Sequence, residues 1–247
     1  MKKYLFIALL LMILFIVSCT SSVESDIENV ISDPENNKTE PELVEEETDD
    51  EVEEYIEFFL DDEQVTINLR GLPILNNYLQ GASNREQSIE EMELTRIYSD
   101  EESIYLLKFS CYDSFCSYII LNQNRDNPSF LIADLARLSE TRISPEASKL
   151  LFLFERDSGP SEELKDIVVI DIGDWSRLQL VNETTADPIL DYKWPLSEVE
   201  WVDDDTISVN KPDSIEPEDS AKAIEETPVT NVILRVFPEG QETDNAQ

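Results

Sequence analysis

Short apolar runs separated by polar clusters recur along the chain from residue 55 onward, and their lengths and spacings predict mostly strands. Residues 55–60 and 65–69 flank Asp61-Asp62-Glu63-Gln64, the pattern of two strands joined by a polar turn. Arg70-Gly71-Leu72-Pro73 breaks the run, after which Ile74, Leu75, Tyr78 and Leu79 recur at helical spacing up to Gly81. A second helical stretch is expected to start on Ser83 or Asn84 and to align Ile89, Met92 and Leu94. One or two short helices are thus placed near residues 72–94.

After Ile97 the pattern becomes strand, turn, strand, with expected strands at 104–109, 115–121, 130–135, 150–154, 167–172, 207–209 and 232–237. Leu150-Leu151-Phe152-Leu153-Phe154 is apolar on consecutive residues, as expected of a strand covered on both faces. Stacked antiparallel sheets satisfy that requirement, so the expected class is mainly β.

A weak internal repeat points the same way. Ile132-Ala133-Asp134-Leu135 and Val169-Ile170-Asp171-Ile172 share one pattern, and a period of about 40 residues is the length of one propeller blade. Ser144, Pro145 and Lys149 before an apolar strand, with Asp171 ending the next, resemble the blade signature of TolB-like β-propellers. Glu146 and Ala147-Ser148 depart from the Asp and Gly of that signature, and Trp201-Val202-Asp203-Asp204-Asp205-Thr206-Ile207 resembles the same turn again. Three recognisable units and five glycines in all are fewer than a closed ring calls for. The resemblance therefore implies a partial or open propeller.

The amino terminus carries a different pattern. Lys2 and Lys3 precede an uncharged apolar run from Leu5 to Val17, then Ser18-Cys19, the order of an export signal. As a helix the run would cover about 20 Å, short of the roughly 30 Å hydrocarbon core of a bilayer. Ile16-Val17-Ser18-Cys19 resembles the lipobox of bacterial lipoproteins. The resemblance implies removal of residues 1–18 and a diacylglyceryl thioether on Cys19, and two acyl chains suffice for stable attachment where one is marginal. The implied location is the extracytoplasmic face of the cell membrane, held through the Cys19 lipid.

Residues 19–54 read as an acidic tether: from Thr20 to Glu54 there are 15 acidic residues, one basic residue (Lys38) and no aromatic. Such a segment buries too little apolar surface to offset its ordering entropy. Residues 55–237 have the composition of one globular domain, and 238–247 return to a polar tail. Over the whole chain 55 Asp plus Glu oppose 18 Lys plus Arg, a net charge of −37. A field of that sign repels nucleic-acid phosphates, so nucleic acid is set aside as a partner.

The candidate chemistry is sparse. Cys111 and Cys116 flank a four-residue turn between two expected strands, and a structural disulfide, free thiols and a reactive pair all fit that spacing. The chain has no histidine, which excludes Ser-His and Cys-His nucleophiles and the common zinc sites. Its glycines are scattered, with no phosphate-cradling loop. Ser208 and Lys211 match a Ser-x-x-Lys pattern, but on a strand positions three apart point to opposite faces. Asp203, Asp204 and Asp205 offer oxygens for calcium without the Gly and closing Glu of the known loop. Trp175, Trp194 and Trp201 fit either sugar stacking or packing between sheets. No cofactor and no metal is implied. The expectation is a non-enzymatic lipoprotein that binds, scaffolds or senses through a protein or envelope partner; the alternative is a carboxylate-based hydrolase acting on cell-wall or extracellular polysaccharide.

Overall fold

Strand pairing begins earlier than the apolar pattern implies. The computed structural model describes residues 41–48, 51–60, 63–98, 102–125, 129–157, 164–182, 194–212 and 228–238, all within the unit Thr39–Gln247. The leader, the lipobox with Cys19, and residues 239–247 of the tail lie outside the described residues. Strand β1 (Glu42–Thr48) pairs antiparallel with β2 (Glu51–Phe59), which pairs with β3 (Gln64–Asn68). The expected tether to residue 54 is therefore corrected from Glu42 onward. An antiparallel ladder is made by backbone groups, which an acidic sequence supplies as well as any other. Leu43 also packs against the core, opposite Ile56.

A 3-10 turn, Leu69–Gly71, leads into α1 (Pro73–Gly81) and α2 (Arg85–Glu90). Proline suits the first turn of α1 because the missing N–H would have had no partner there. The side chain of Asn84 caps α2 by accepting from the Gln87 N–H at 3.3 Å. Leu75, Leu79 and Ile89 bury the inner faces of these helices. Leu94, expected on the second helix, instead lies in β4 (Glu93–Tyr98), opposite Leu107. Five residues beyond Ile89 it has rotated off that helical face, whereas on a strand it reaches the same core.

The second sheet continues from β4 through β5 (Ile104–Tyr112), β6 (Phe115–Asn122), β7 (Ser129–Ile143), β8 (Lys149–Arg156), β9 (Leu164–Asp171) and β10 (Ser176–Asn182). It is completed by β11 (Ser197–Asp203), β12 (Thr206–Pro212) and β13 (Val229–Pro238). Its ten strands run β4-β5-β6-β7-β8-β9-β10-β13-β12-β11, every pair antiparallel, with β13 inserted between β10 and β12. The outer strands of the two sheets are β1, β3, β4 and β11.

Three apolar cores explain the consecutive runs. Along β5, Tyr105, Leu107 and Phe109 face the first core, which β2, β3 and the helices cover, while Ile104 and Leu106 face the second. Along β8, Leu150, Phe152 and Phe154 face the second core, and Leu151 and Leu153 face the third. Sheets stacked on both sides thus bury every position of such a strand. The 15-residue β7 links two layers, pairing β6 through its first half and β8 through its second, with register shifts in both ladders. Leu135 takes φ 47° within a register shift of the β6–β7 ladder, and its side chain is exposed. Ile172, its counterpart in the internal repeat, is buried. Strand β10 buries alternate residues only, Leu178 and Leu180. The fold is mainly β, built of stacked antiparallel sheets with two short helices.

Candidate functional site

Cys111 and Cys116 form a disulfide across the β5–β6 hairpin, with Cα atoms 4.0 Å apart. Cys116 is buried in the second core and Cys111 is exposed, so the bond ties a projecting tip to the packed layer. Ser208 and Lys211 do not meet. Ser208 Oγ accepts from Asn231 at 2.7 Å, whereas the Lys211 ammonium sits 3.5 Å from the centroid of the Trp194 ring. Trp175 packs edge-on against Phe130 beside the second core, and Trp194 and Trp201 pack against the third.

The three aspartates at 203–205 contribute to a different structure. Asp204 accepts from Lys149 Nζ at 3.0 Å, from the Glu146 N–H at 3.1 Å and from the Ser148 hydroxyl; Lys149 also meets Asp205 at 3.1 Å. Ser144 Oγ accepts from the Lys149 N–H at 3.0 Å. The residues that carry the blade resemblance, Ser144, Lys149 and the aspartate turn, thus form one brace between the β7–β8 and β11–β12 turns. Burial opposes ionisation of Asp204, but hydrogen bonds from Ser144, Ser148, Lys149 and the Glu146 N–H outweigh it and hold the carboxyl far below the usual range. Burial likewise opposes the charge on Lys149, and the two aspartates overcome it and raise its pKa. A lysine so stabilised as ammonium is a poor base, and a carboxyl so stabilised as carboxylate is a poor acid.

Other embedded carboxylates are neutralised in the same manner. Glu155 receives Arg137 at 2.8 Å and lies 3.6 Å from Lys165. Its burial is outweighed by Arg137, Ser139 and Lys165, so its pKa falls. Arg85 grips Glu54 through two contacts, at 2.8 and 2.6 Å, and its hydrogen bonding lowers the Glu54 pKa despite partial burial. Among the described residues no group of three acidic or cysteine side chains is arranged to hold a metal ion.

A cleft of about 380 Å3 opens beside β3, a volume in the lower part of the about 300–1,000 Å3 spanned by ligand sites. Val65, Thr66, Ile67 and Asn68 of β3 line it, followed by Gly71 and Leu72. Tyr105, Leu121, Gln123 and Arg125 complete it from β5, β6 and the segment after β6. Arg125 Nη2 donates to Glu102 at 3.0 Å and to the Ile172 carbonyl at 2.9 Å. These contacts fix the guanidinium and leave its Nε and Nη1 without a partner among the described residues. Glu102 is held ionised chiefly by Asn122, against partial burial, and next by Arg125. The Tyr105 hydroxyl meets Glu63 at 3.1 Å, and burial, then that carboxylate, push its pKa up.

The hairpin geometry fixes what β3 presents to this cleft. The Leu60 N–H donates to the Glu63 carbonyl at 2.9 Å, marking that pair as hydrogen-bonded across the turn. Alternation along the ladder then directs the backbone groups of Val65 and Ile67 toward β2 and those of Gln64, Thr66 and Asn68 outward. Sequence reading placed the strand but missed the cleft, whose other wall comes from residues 105–125; the available signal was a strand free of charges in a chain that is 30% charged. Comparison of the chain with models of protein families, with curated proteins and with solved structures finds no match.

Proposed function

We propose that the protein is a lipoprotein held to the extracytoplasmic face of the cell membrane through lipid on Cys19, and that its β-rich body binds, scaffolds or senses without catalysing a reaction. The observation that carries this reading is the apolar run from Leu5 to Val17 followed by Ser18-Cys19. In this reading residues 1–18 are removed, the residues between Cys19 and β1 form the tether, and the stacked layers correspond to blades of an incomplete propeller. Its partner is a protein or another envelope component, reached through the cleft beside β3.

The absence of histidine from the chain supports binding over catalysis. So does the state of the carboxylates: Glu54, Glu102, Glu155 and Asp204 are all shifted down. A glycoside hydrolase needs one carboxyl shifted up to serve as an acid. Fractionation of cells expressing the full chain and its Cys19→Ala variant tests the anchor. The wild type is expected with the membrane, its mature amino-terminal cysteine heavier by a diacylglyceryl group, and the variant free of it. A wild-type amino terminus without lipid, or unchanged fractionation of the variant, refutes the anchor; turnover of cell-wall glycan that one carboxylate replacement abolishes refutes the non-enzymatic role.

A further inference from the structure

We infer that the Cys111–Cys116 disulfide is a latch that external thiols open through the Cys111 sulfur, releasing the β5–β6 tip while the layers beneath it stay folded. The inference specifies the sensing role proposed above, and it rests on that reading for the extracytoplasmic surroundings in which a disulfide persists and is poised against thiols.

The bond lies where it does little for the fold. Tyr112 pairs with Phe115 across the two-residue turn Asp113-Ser114, so strand pairing closes the tip without it. A bond between residues five apart restrains the unfolded chain little. Linkage runs both ways, so a bond that steadies the fold little is held closed by the fold as little.

The backbone around the bond works against the closed form. Between the pairs Phe109–Ser117 and Tyr112–Phe115, Ser110 and Cys111 of β5 stand against Cys116 alone, a bulge. It brings the two cysteine Cα atoms to 4.0 Å, closer than the separation of about 4.4–6.8 Å that most disulfides span, and such a departure makes a bond easier to reduce. Ser110 takes φ 50° and Asp113 φ 54°, in the left-handed region that favours glycine. Two non-glycine residues held there, on either side of Cys111, relax when the tip is released.

Access decides which sulfur is attacked. Cys111 is exposed, whereas Cys116 lies in the second core at 1% exposure. An external thiolate therefore bonds to Cys111 Sγ as the Cys111–Cys116 bond breaks, and Cys116 leaves as a thiolate that takes up a proton. A second thiolate attacks the external sulfur of this mixed disulfide, forming an external disulfide and freeing Cys111, which is protonated in turn. Two thiols are oxidised to one disulfide, and the cysteine pair gains two electrons and two protons. What opens is Tyr112, 75% exposed, with Asp113 and Ser114, also exposed; none of the three belongs to a core, and Cys116 stays packed as a thiol.

The test holds the full chain in detergent, at neutral pH, in mixtures of reduced and oxidised glutathione, followed by acid quenching and alkylation. Trypsin then releases the segment Phe109–Arg125, which contains Cys111 and Cys116 but not Cys19, and its mass gives the fraction reduced. The folded chain is expected to favour the disulfide by no more than about thirtyfold over the same chain in urea, and trapped glutathione is expected on Cys111. Chymotrypsin is expected to cut after Tyr112 about tenfold or more faster in the reduced protein, with near-ultraviolet circular dichroism retained. Cys111→Ala combined with Cys116→Ala should be cut at the fast rate with or without thiol. A preference for the disulfide above about a hundredfold on folding overturns the inference, because it marks a structural staple. So does glutathione on Cys116, a cleavage rate that reduction changes less than about twofold, or loss of the near-ultraviolet signal on reduction. None of these results bears on Cys19, whose lipidation is read from fractionation and mass.

Discussion

Replacing Asp204 by alanine tests whether the brace between the two turns holds the third layer in place. The substitution removes the acceptor of Lys149, Ser148 and the Glu146 N–H together, and leaves the Lys149 ammonium, 11% exposed, with the Ser148 hydroxyl at 3.3 Å and the carboxylate of Asp205, which is 76% exposed. Breaking a buried pair by deleting one partner costs about 3–5 kcal/mol. The surviving contact to Asp205 offsets part of that, so about 3 kcal/mol is expected. For a domain of this size each kcal/mol lowers Tm by about 2–4 °C, which gives a drop of about 6–12 °C. The assay is urea unfolding of both proteins at fixed salt, repeated across pH. Because the folded-state pKa of Asp204 lies below its unfolded value, its contribution is complete above about pH 4 and is lost as pH falls further. The gap between wild type and variant should therefore be full at pH 6 and shrink below about pH 4. A cost under about 0.5 kcal/mol at pH 6, or a gap that widens on acidification, refutes the reasoning.

Replacing Cys111 and Cys116 together by alanine opens a six-residue loop and is expected to cost about 2 kcal/mol on the chain-entropy estimate. Urea unfolding under oxidising and reducing conditions checks it, since the variant should be insensitive to reductant. Phe152→Ala empties a site with no solvent exposure in the second core, against Phe154 at 6.2 Å between ring centroids. It is expected to cost about 3–5 kcal/mol, and a calorimetric loss below about 1 kcal/mol would contradict the two-sided burial of β8.

The strands that stand out most plainly in the sequence are those the fold buries on both faces. In β5, β6, β8 and β9 alternate residues enter different cores, so the runs are apolar on both parities and stand out against the charged background. Strands β10 and β11 bury one face or less, and β11 adds Glu198 at φ 49°, so their apolar residues are too few to mark a run. The ladder of β1 is held by backbone bonds, which leave no trace in side-chain composition. The same limit applies to the sites. The disulfide was anticipated as one of three states because its cysteines flank one turn, whereas Lys149 and Asp204 are 55 positions apart and their contact depends on stacking. Likewise, nothing local to Gln64–Asn68 announces that Arg125 will stand across from it.

The placement of β13 bears on the order of assembly. Strand β10 leaves the ribosome some fifty residues ahead of the neighbour that finally covers its flank, and the β11–β12 hairpin waits for the same neighbour. Closing a contact so distant along the chain is slow. The layers from β5 to β9 are free to consolidate while β10 and β12 still lack that partner. This leaves one stretch of backbone unsatisfied until residues 229–238 have been made, and it makes them the clasp that completes the sheet.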